Sequence, residues 1–429
     1  MELAIIIIFT IGYLAIAFEH PLKINKAASA LVTGVLCWTA YVFSQADKDL
    51  VSHALLEHLG EISGILFFLL GAMTIVELID ANDGFQIITE RITTKSTIKL
   101  IWIIGVISFF LSAALDNLTT TIVMVTMLRK IVADREKRLL LAGITIIAAN
   151  AGGAWSPVGD VSTTMLWIGG QITTMNTIAG VFLPSVVCLL VPLLYVSFRV
   201  RGSFESPDED NDEITTLDVR RNIIFFLGLA VFIFVPIFKS ISHLPPFMGM
   251  LLGLGFMWLV TEVIHKREGD KEKGVLSVVY ALRRIDTPSI LFFLGILLSV
   301  SALQSTGQLS QLAGWLARTI LNETTLIVIL GLLSAVIDNV PLVAAAQGMY
   351  TLQQYPTDSY FWQFLAYAAG TGGSSLIIGS AAGVAAMGLE KIDFFWYVKR
   401  ISLLALLGYL AGAIVYVVQY SLTSTMGAN

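Results

Sequence analysis

Charged residues are scarce in this chain of 429 residues. Asp, Glu, Lys and Arg together make up 13% of the sequence, about half of their usual share of roughly 25%, whereas 56% of the residues are hydrophobic. This composition excludes an ordinary soluble protein. The net charge of -5 includes no basic stripe with interleaved aromatic residues, so we expect no nucleic-acid partner.

Cysteine is almost absent as well. Cys37 and Cys188 are the two cysteines, and each lies within an apolar run without neighbouring histidines. This pattern excludes a disulfide framework and a zinc site. No basic segment precedes the first apolar run and no small-residue cleavage site follows it, so we expect that run to be a short membrane span and not a removed signal peptide.

Long apolar runs are what the sequence does contain. Most approach the length of roughly 17 to 22 residues that a helix needs to cross about 30 Å of hydrocarbon, although several are shorter or broken. The sequence therefore predicts an all-α polytopic membrane protein. The runs are 3–18, 27–43, 62–79, 98–115, 118–131, 139–170, 178–198, 222–238, 247–264, 289–303, 326–337, 341–350, 361–388 and 395–420.

The basic residues predict the orientation, because cytoplasmic loops hold an excess of Lys and Arg. If the N-terminus is outside, only Lys48, Lys239 and Arg318 of the 26 basic residues fall on the outer side. We therefore expect a multi-pass protein of the cell (inner) membrane with both termini outside.

In two places, a pair of apolar runs is interrupted only by an Asp-Asn dipeptide. The dipeptide is Asp116-Asn117 in the first pair and Asp338-Asn339 in the second. Neither pair has a polar loop long enough to reach bulk water. A carboxylate flanked so closely by apolar helix is expected to lie at membrane depth. The sequence thus predicts two re-entrant helical hairpins, one from each side of the membrane.

Several motifs recur in the same order and with similar spacing. The segment 65–69 recurs at 290–294, the Ser-Ala-x-x-Asp-Asn motif of 112–117 recurs at 334–339, and the glycines of 152–159 recur at 372–379. Basic residues flank the first hairpin but hardly the second, which predicts inverted repeats, as in many secondary transporters. The predicted divisions are N-terminal spans 1–59, a first repeat 60–201, an acidic cytoplasmic linker 202–221, a second repeat 222–420 and a tail 421–429.

The two Asp-Asn turns combine a titratable group with a neutral oxygen ligand. Removal from water favours the protonated form of a carboxyl group, whereas a bound Na⁺ favours the ionised form. Asp116 and Asp338 can therefore each hold a proton or a cation, and the amide oxygens of Asn117 and Asn339 suit a hard cation. Capping of the returning helix by the aspartate is the structural alternative.

A third polar segment, 150–164, interrupts a long apolar run with Gly152, Gly153, Pro157 and Gly159. Broken helix ends are tolerated at membrane depth only where they line a cavity. We expect four side chains to face that cavity: Asn150, Ser156, Asp160 and Thr163. The counterpart at 371–380 keeps the break and the hydroxyl groups but has no carboxylate, which predicts a site that is asymmetric in charge.

These motifs, together with Glu19-His20-Pro21 and Asn25-Lys26-Ala27 before the second span, resemble the NhaD-type Na⁺/H⁺ antiporters of the ion transporter superfamily. The resemblance covers nearly the whole chain. It implies exchange of cytoplasmic Na⁺ or Li⁺ for external protons, an elevator-like movement, a homodimer and no cofactor besides the transported ion. The residues that it assigns to proton and Na⁺ binding are Asp116, Asn117, Asn150, Asp160, Thr163, Ser334, Asp338, Asn339, Ser374 and Ser375.

Three other functions are alternatives. Sodium-coupled dicarboxylate symporters of the same superfamily resemble Ser-Asn-Thr at the hairpin tips, but here Asp116 and Asp338 stand at the serine positions and would repel a dianion. An intramembrane aspartyl protease would carry its second acid in Gly-x-Gly-Asp, whereas Asp160 follows Pro-Val-Gly. A channel is disfavoured because paired acids and inverted repeats indicate alternating access. The sequence thus predicts a transporter, not an enzyme.

Overall fold

The computed structural model describes residues 2–89, 92, 94, 96–200, 219–264, 277–320 and 322–426. Most of the predicted acidic linker, 202–218, and the end of the predicted tail, 427–429, lie outside these residues. The secondary structure of the described residues is α-helical, as the sequence predicts. Eight of the described helices are long and apolar enough to cross a membrane.

The chain begins with three longer and two short helices. They are α1 (Glu2–Ala17), α2 (Glu19–Leu22), α3 (Lys26–Ser44), α4 (Lys48–Ala81) and α5 (Gln86–Thr89). Helix α4 has 34 residues and is much longer than the apolar run 62–79. Its first turns are polar, and the Asp47 carboxylate starts the helix by accepting hydrogen bonds from the backbone N–H groups of Asp49 and Leu50.

The first predicted hairpin and the first broken helix follow. Their helices are α6 (Thr97–Leu115), α7 (Asn117–Ile131), α8 (Arg135–Ala154), α9 (Val161–Ile168) and α10 (Thr174–Arg199). Asp116 alone joins α6 to α7, with a φ of 130°, which is a strained backbone conformation for any residue other than glycine. The segment from Trp155 to Asp160 separates α8 from α9.

The next set of helices leads from α10 to the second hairpin: α11 (Val219–Ser242), α12 (Pro246–Ile264), α13 (Val278–Arg284), α14 (Thr287–Ser305) and α15 (Gln308–Thr319). Helix α15 was not among the predicted runs. It is amphipathic, with Leu309 and Ala313 buried while Leu312 and Trp315 are exposed. A search for continuous apolar runs cannot detect such a helix, because its apolar residues alternate with polar ones.

The second half repeats the hairpin and the break. Its helices are α16 (Glu323–Ile337), α17 (Asn339–Met349), α18 (Tyr360–Gly372), a 3-10 turn (Gly373–Ser375), α19 (Ala381–Glu390), α20 (Phe394–Tyr397), a π-helical turn (Val398–Ser402) and α21 (Leu403–Met426). Asp338 alone joins α16 to α17, again with a positive φ of 52°. Both halves thus contain the predicted helical hairpin and broken helix.

The two halves also pack their repeated motifs in the same way. A Cβ added to Gly152 would lie 2.0 Å from the carbonyl oxygen of Phe109, and one added to Gly372 would lie 1.9 Å from that of Gly331. Each broken helix therefore approaches its hairpin so closely that only glycine fits. These contacts agree with the internal repeat, whereas inversion of the repeats across the membrane stays a prediction.

The helices pack in two groups. The flanking group consists of α1, α3, α4 and α11 to α14, and the site group consists of α6 to α10 and α16 to α21. Within the site group the repeats interlock, since α7 packs on α19 and α8 packs on α18. Buried Glu390 at the end of α19 binds Arg129 at 2.7 Å and Arg138 at 2.9 Å in the first repeat. This arrangement brings both hairpin tips and both helix breaks together.

Candidate functional site

Asp160 lies at the centre of the polar residues that the sequence singles out. Its side chain is 1% exposed and caps α9 by accepting hydrogen bonds from the backbone and hydroxyl of Ser162, at 2.7 and 2.6 Å. The Asn117 amide donates to Asp160 Oδ2 at 2.6 Å. The Asn339 amide donates to both carboxylate oxygens, at 3.0 and 2.9 Å. One carboxylate from the first helix break therefore receives an amide from each hairpin tip.

Asn150 extends this network to the second helix break. It is fully buried, and its Oδ1 accepts a hydrogen bond of 3.0 Å from the Asn117 amide. Its own amide nitrogen donates to the hydroxyl groups of Ser374 at 2.8 Å and Ser380 at 2.9 Å. A continuous chain of hydrogen bonds thus runs from the second break through Asn150 and Asn117 to Asp160 and the second hairpin.

The aspartates at the two hairpin tips have different surroundings. Asp116 caps α7, because its carboxylate accepts hydrogen bonds from the Thr119 backbone N–H at 2.7 Å and from the Thr119 hydroxyl at 2.9 Å. Asp338 makes no such side-chain cap, and its Oδ1 is buried without a hydrogen-bond partner among the described residues. Both aspartates lie within electrostatic range of Asp160.

Three other predicted ligands lie nearby but are not hydrogen-bonded into this network. The hydroxyl of Thr163 is buried, and neither it nor the hydroxyl of half-buried Ser375 has a partner among the described residues. Ser334 donates to the carbonyl oxygens of Gly331 and Ala369. Its hydroxyl ties the second hairpin to α18, so any contact with an ion would compete with this structural role.

Two residues that contact the network directly, Ser162 and Ser380, were not among those assigned to ion binding from the sequence. Ser162 binds Asp160 through both its backbone and its hydroxyl. Ser380 accepts a hydrogen bond from Asn150 and caps α19, just as Asp160 caps α9 in the first repeat. The shared spacing of Gly159-Asp160 and Gly379-Ser380 was the signal that could have identified Ser380.

Two cavities with acidic side chains in their linings border α4 at different positions along its length. One, of about 240 Å³, is lined by Glu77, Asp80 and the Thr119 that binds Asp116. The other, of about 430 Å³, is lined by His58 and Glu61, and it reaches Met165 in the helix that Asp160 caps. At about 1.5 Å per residue, Glu61 and Glu77 are roughly 24 Å apart along α4.

The donors of the network are suited to a small hard cation. Carboxylate, amide and hydroxyl oxygens bind alkali and alkaline-earth ions, whereas transition metals favour imidazole or thiolate ligands. Within the described part of the chain, no group of three or more His, Cys, Asp or Glu side chains could hold a metal ion. The arrangement places one carboxylate, that of Asp160, among amide and hydroxyl groups that carry no charge.

Comparison with known proteins gives relatives along most of the chain. Residues 13–372 match the model of the family CitMHS, described as "Citrate transporter". The chain is 49% identical to "Sodium/proton antiporter 1" of Arabidopsis thaliana over 98% of its own length and 73% of that protein. It is 33% identical to "Na(+)/H(+) antiporter NhaD" of Alkalimonas amylolytica, over 96% of this chain and 89% of the relative.

A solved structure supports the fold. The chain is similar to the YdaH transporter of Alcanivorax borkumensis, whose crystal structure is described as having an unusual topology, with a TM-score of 0.54 and 13% identity. The likeness covers 88% of this chain and 90% of that one. At this identity it bears on the arrangement of the helices alone.

Proposed function

Because the chain belongs to the NhaD-type Na⁺/H⁺ antiporters of the ion transporter superfamily, we propose that it exchanges cytoplasmic Na⁺ or Li⁺ for external protons through buried carboxylates. The family consists of transporters, so the chain is not an enzyme. The eight long apolar helices among the described residues make it a multi-pass membrane protein. The transported ion is the substrate, and the exchange needs no cofactor.

The main support for this proposal is the position of Asp160 between the two hairpin tips. Asp160 is the ionisable side chain of the hydrogen-bonded network, and its neighbours are neutral amides and hydroxyls. When a proton occupies Asp160, the buried group is neutral and needs no cation. When Asp160 is ionised, Na⁺ compensates its charge. Rotation of the Asn117 and Asn339 side-chain amides by about 180° would then direct their oxygens towards the ion. The two states exclude each other because one carboxylate serves both ions.

We propose that Asp116 is the second exchanging carboxylate. It lies at the tip of the first hairpin, and Thr119, which holds it, lines the cavity beside Glu77 and Asp80. An ion entering through that cavity would meet Asp116 before Asp160. The remaining predicted ligands, Thr163, Ser334, Ser374 and Ser375, supply hydroxyl oxygens around this path.

The two cavities that border α4 at different positions along its length support alternating access. Each is bordered by a different hairpin, α7 in one case and α17 in the other. Access from one compartment and then from the other requires the site group to move against the flanking group. Since α7 and α19 pack together and Glu390 binds Arg129 and Arg138 of the first repeat, we propose that the site group moves as one body.

Symport of sodium with a di- or tricarboxylate is the second candidate, because the matching family model is described as a citrate transporter. A carboxylate substrate would have to approach Asp160, with Asp116 and Asp338 close by. No Lys or Arg side chain takes part in the hydrogen bonds of the network formed by the described residues. The repulsion between like charges at short range favours cation exchange.

Everted membrane vesicles containing the protein and a pH-sensitive dye test the proposal. Addition of Na⁺ or Li⁺ should cause proton movement that is lost in Asp116→Asn and Asp160→Asn. Asp134→Asn is the matched control, because Asp134 caps α8 at the exposed surface and asparagine caps helices equally well. Full exchange in both site variants would contradict the site assignment, and citrate or succinate uptake without proton exchange would favour the symporter.

We also propose a homodimer, on the basis of the resemblance, and residence in the cell (inner) membrane with both termini outside, on the basis of the distribution of basic residues. Light scattering of the detergent-solubilised protein tests the first. Protease accessibility of terminal tags in vesicles of known orientation tests the other two.

A further inference from the structure

Asp338 differs from the other two acids of the site in having no hydrogen-bonding donor for Oδ1 among the described residues. The carboxylate interacts with the backbone N–H groups of Asn339 and Val340, but an ionised carboxylate with an unpaired buried oxygen is still costly without a counter-charge. The Asp338 carboxylate can be neutralised by a proton, by a transported cation or by a nearby positive side chain. The surroundings of Asp338 distinguish these possibilities.

Asp338 lines a small cavity of about 50 Å³ with Lys26 of α3, Tyr13 of α1 and Glu19 of α2. The Lys26 ammonium is within electrostatic range of the Asp338 carboxylate. The two groups do not form a direct ion pair, but a cavity of this size is large enough for water to bridge them. The flanking group of helices therefore brings a positive charge to the tip of the second hairpin.

Other contacts hold both sides of this cavity in place. The Lys26 ammonium lies 4.6 Å from the centre of the Phe292 ring in α14, a favourable cation–π contact. The Tyr13 hydroxyl donates a hydrogen bond of 2.7 Å to the carbonyl oxygen of Ile337, the last residue of α16. The position of the Lys26 side chain is thus fixed by α14, and the tip of the second hairpin is fixed by α1 of the flanking group.

Glu19 is the competing partner for Lys26. One oxygen of its carboxylate accepts a hydrogen bond of 3.1 Å from the backbone N–H of Lys26. Glu19 also lines a wider cavity of about 400 Å³ that extends to Asp286 and Ser289. Glu19 and Lys26 thus line both cavities, whereas Asp338 lines only the small one, so Glu19 and Asp338 are both candidate partners of the Lys26 ammonium.

We propose that Lys26 is a positioning residue that neutralises Asp338 across the small cavity, so that Asp338 is a fixed counter-charge and not a ligand of the transported cation. This inference rests on the proposed exchange, because it assigns the exchange to Asp116 and Asp160. Since Asp338 acts electrostatically on Asp160, the balance between Asp338 and Lys26 sets how strongly the site attracts Na⁺.

Opposite effects of the two single substitutions would reveal this balance. Lys26→Met leaves an uncompensated negative charge near Asp160 and should lower the half-maximal Na⁺ concentration for exchange. Asp338→Asn leaves an uncompensated positive charge and should raise it. Each shift should be about threefold to tenfold, as expected for one partly screened charge at this range, and the double variant should return to within about twofold of the unchanged protein.

Three controls make the result specific. Lys26→Arg keeps the charge and should behave like the unchanged protein, and Lys23→Met removes a nearby exposed charge that does not line the cavity, with no expected shift. Glu19→Gln should fail to reverse the effect of Lys26→Met. If Glu19→Gln reverses it and Asp338→Asn does not, Lys26 pairs with Glu19 and the proposal is overturned.

Thermal unfolding in detergent tests the pairing without any transport assay. Lys26→Met and Asp338→Asn should each lower the unfolding midpoint, and the double variant should lose less than the two single losses combined. Strictly additive losses, or shifts of the half-maximal Na⁺ concentration in the same direction, would overturn the proposal. Absence of Na⁺-dependent proton movement in the unchanged protein would refute the proposed function, while the unfolding cycle would still decide the pairing.

Discussion

Asp160→Asn is the most informative perturbation of the site. The substitution preserves the shape of the side chain but removes its charge and turns one acceptor oxygen into a donor. In the structure both carboxylate oxygens accept hydrogen bonds, from Asn117, Asn339 and Ser162. The variant therefore has a structural effect and an electrostatic effect, which can be measured separately.

The structural effect should be modest. The new amide nitrogen would face a donor from a neighbouring asparagine, and an unsatisfied buried polar group costs about 1 to 3 kcal/mol. Rotation of the Asn117 amide can relieve part of this cost, because its oxygen can then accept the new hydrogen bond. We expect a folded protein with a slightly lower unfolding midpoint in detergent.

The electrostatic effect should be large. A cation about 4 Å from a carboxylate gains about 4 kcal/mol at an effective dielectric constant of about 20, so removing the charge should weaken Na⁺ binding by about 10³-fold. The variant also has no group to carry the proton. Na⁺-dependent dequenching of a pH dye in vesicles should therefore fall to background at any practical Na⁺ concentration.

Ser162→Ala is the matched control for Asp160→Asn. It removes one hydrogen-bond donor to Asp160 but leaves the backbone hydrogen bond and the carboxylate charge intact. We expect exchange to persist, with a change of the half-maximal Na⁺ concentration of about tenfold or less. Undiminished exchange in Asp160→Asn at equal expression would refute the reasoning, as would equal losses in both variants.

Three other variants test the arrangement around the site. Asp116→Asn removes the carboxylate and should abolish exchange in the vesicle assay. Because asparagine keeps the cap of α7, the unfolding midpoint should change little. Retained exchange would show that Asp116 only caps the helix. Glu390→Gln weakens the contacts to Arg129 and Arg138 and should cost about 1 to 3 kcal/mol in stability. This loss should appear as a lower unfolding midpoint. An unchanged midpoint would show that the packing of the two repeats does not depend on Glu390. Gly152→Ala forces a Cβ to within 2.0 Å of the carbonyl oxygen of Phe109 and should greatly reduce the yield of folded protein in size-exclusion chromatography. Gly314→Ala, with open space around its Cβ position, should leave the yield unchanged. Equal yields of the two variants would contradict the close packing at Gly152.

Some features of this protein follow from local patterns that the sequence contains. Hairpins at Asp116 and Asp338 were predicted because a dipeptide cannot form a loop that reaches water. The breaks around Gly152 and Gly372 were predicted because glycines cluster there in the middle of long apolar runs, with a proline in the first case, and such clusters weaken a helix. The structure confirms these elements. Polar helical segments were harder to predict: the first turns of α4 and the whole of α15 lack a continuous apolar run.

The sequence by itself determined that the chain is a helical membrane protein with two similar halves, because run length, helix breaks and repeated motifs are local properties. Only the tertiary structure decided which polar residues meet. Asp160 contacts Asn117 and Asn339, which are 43 and 179 positions away in the chain, and Ser380, Ser162 and Lys26 gain their importance from such contacts. The physical reason is that a buried charge requires partners from any helix that packs against it, and helix packing depends on the complementary surfaces of many residues at once.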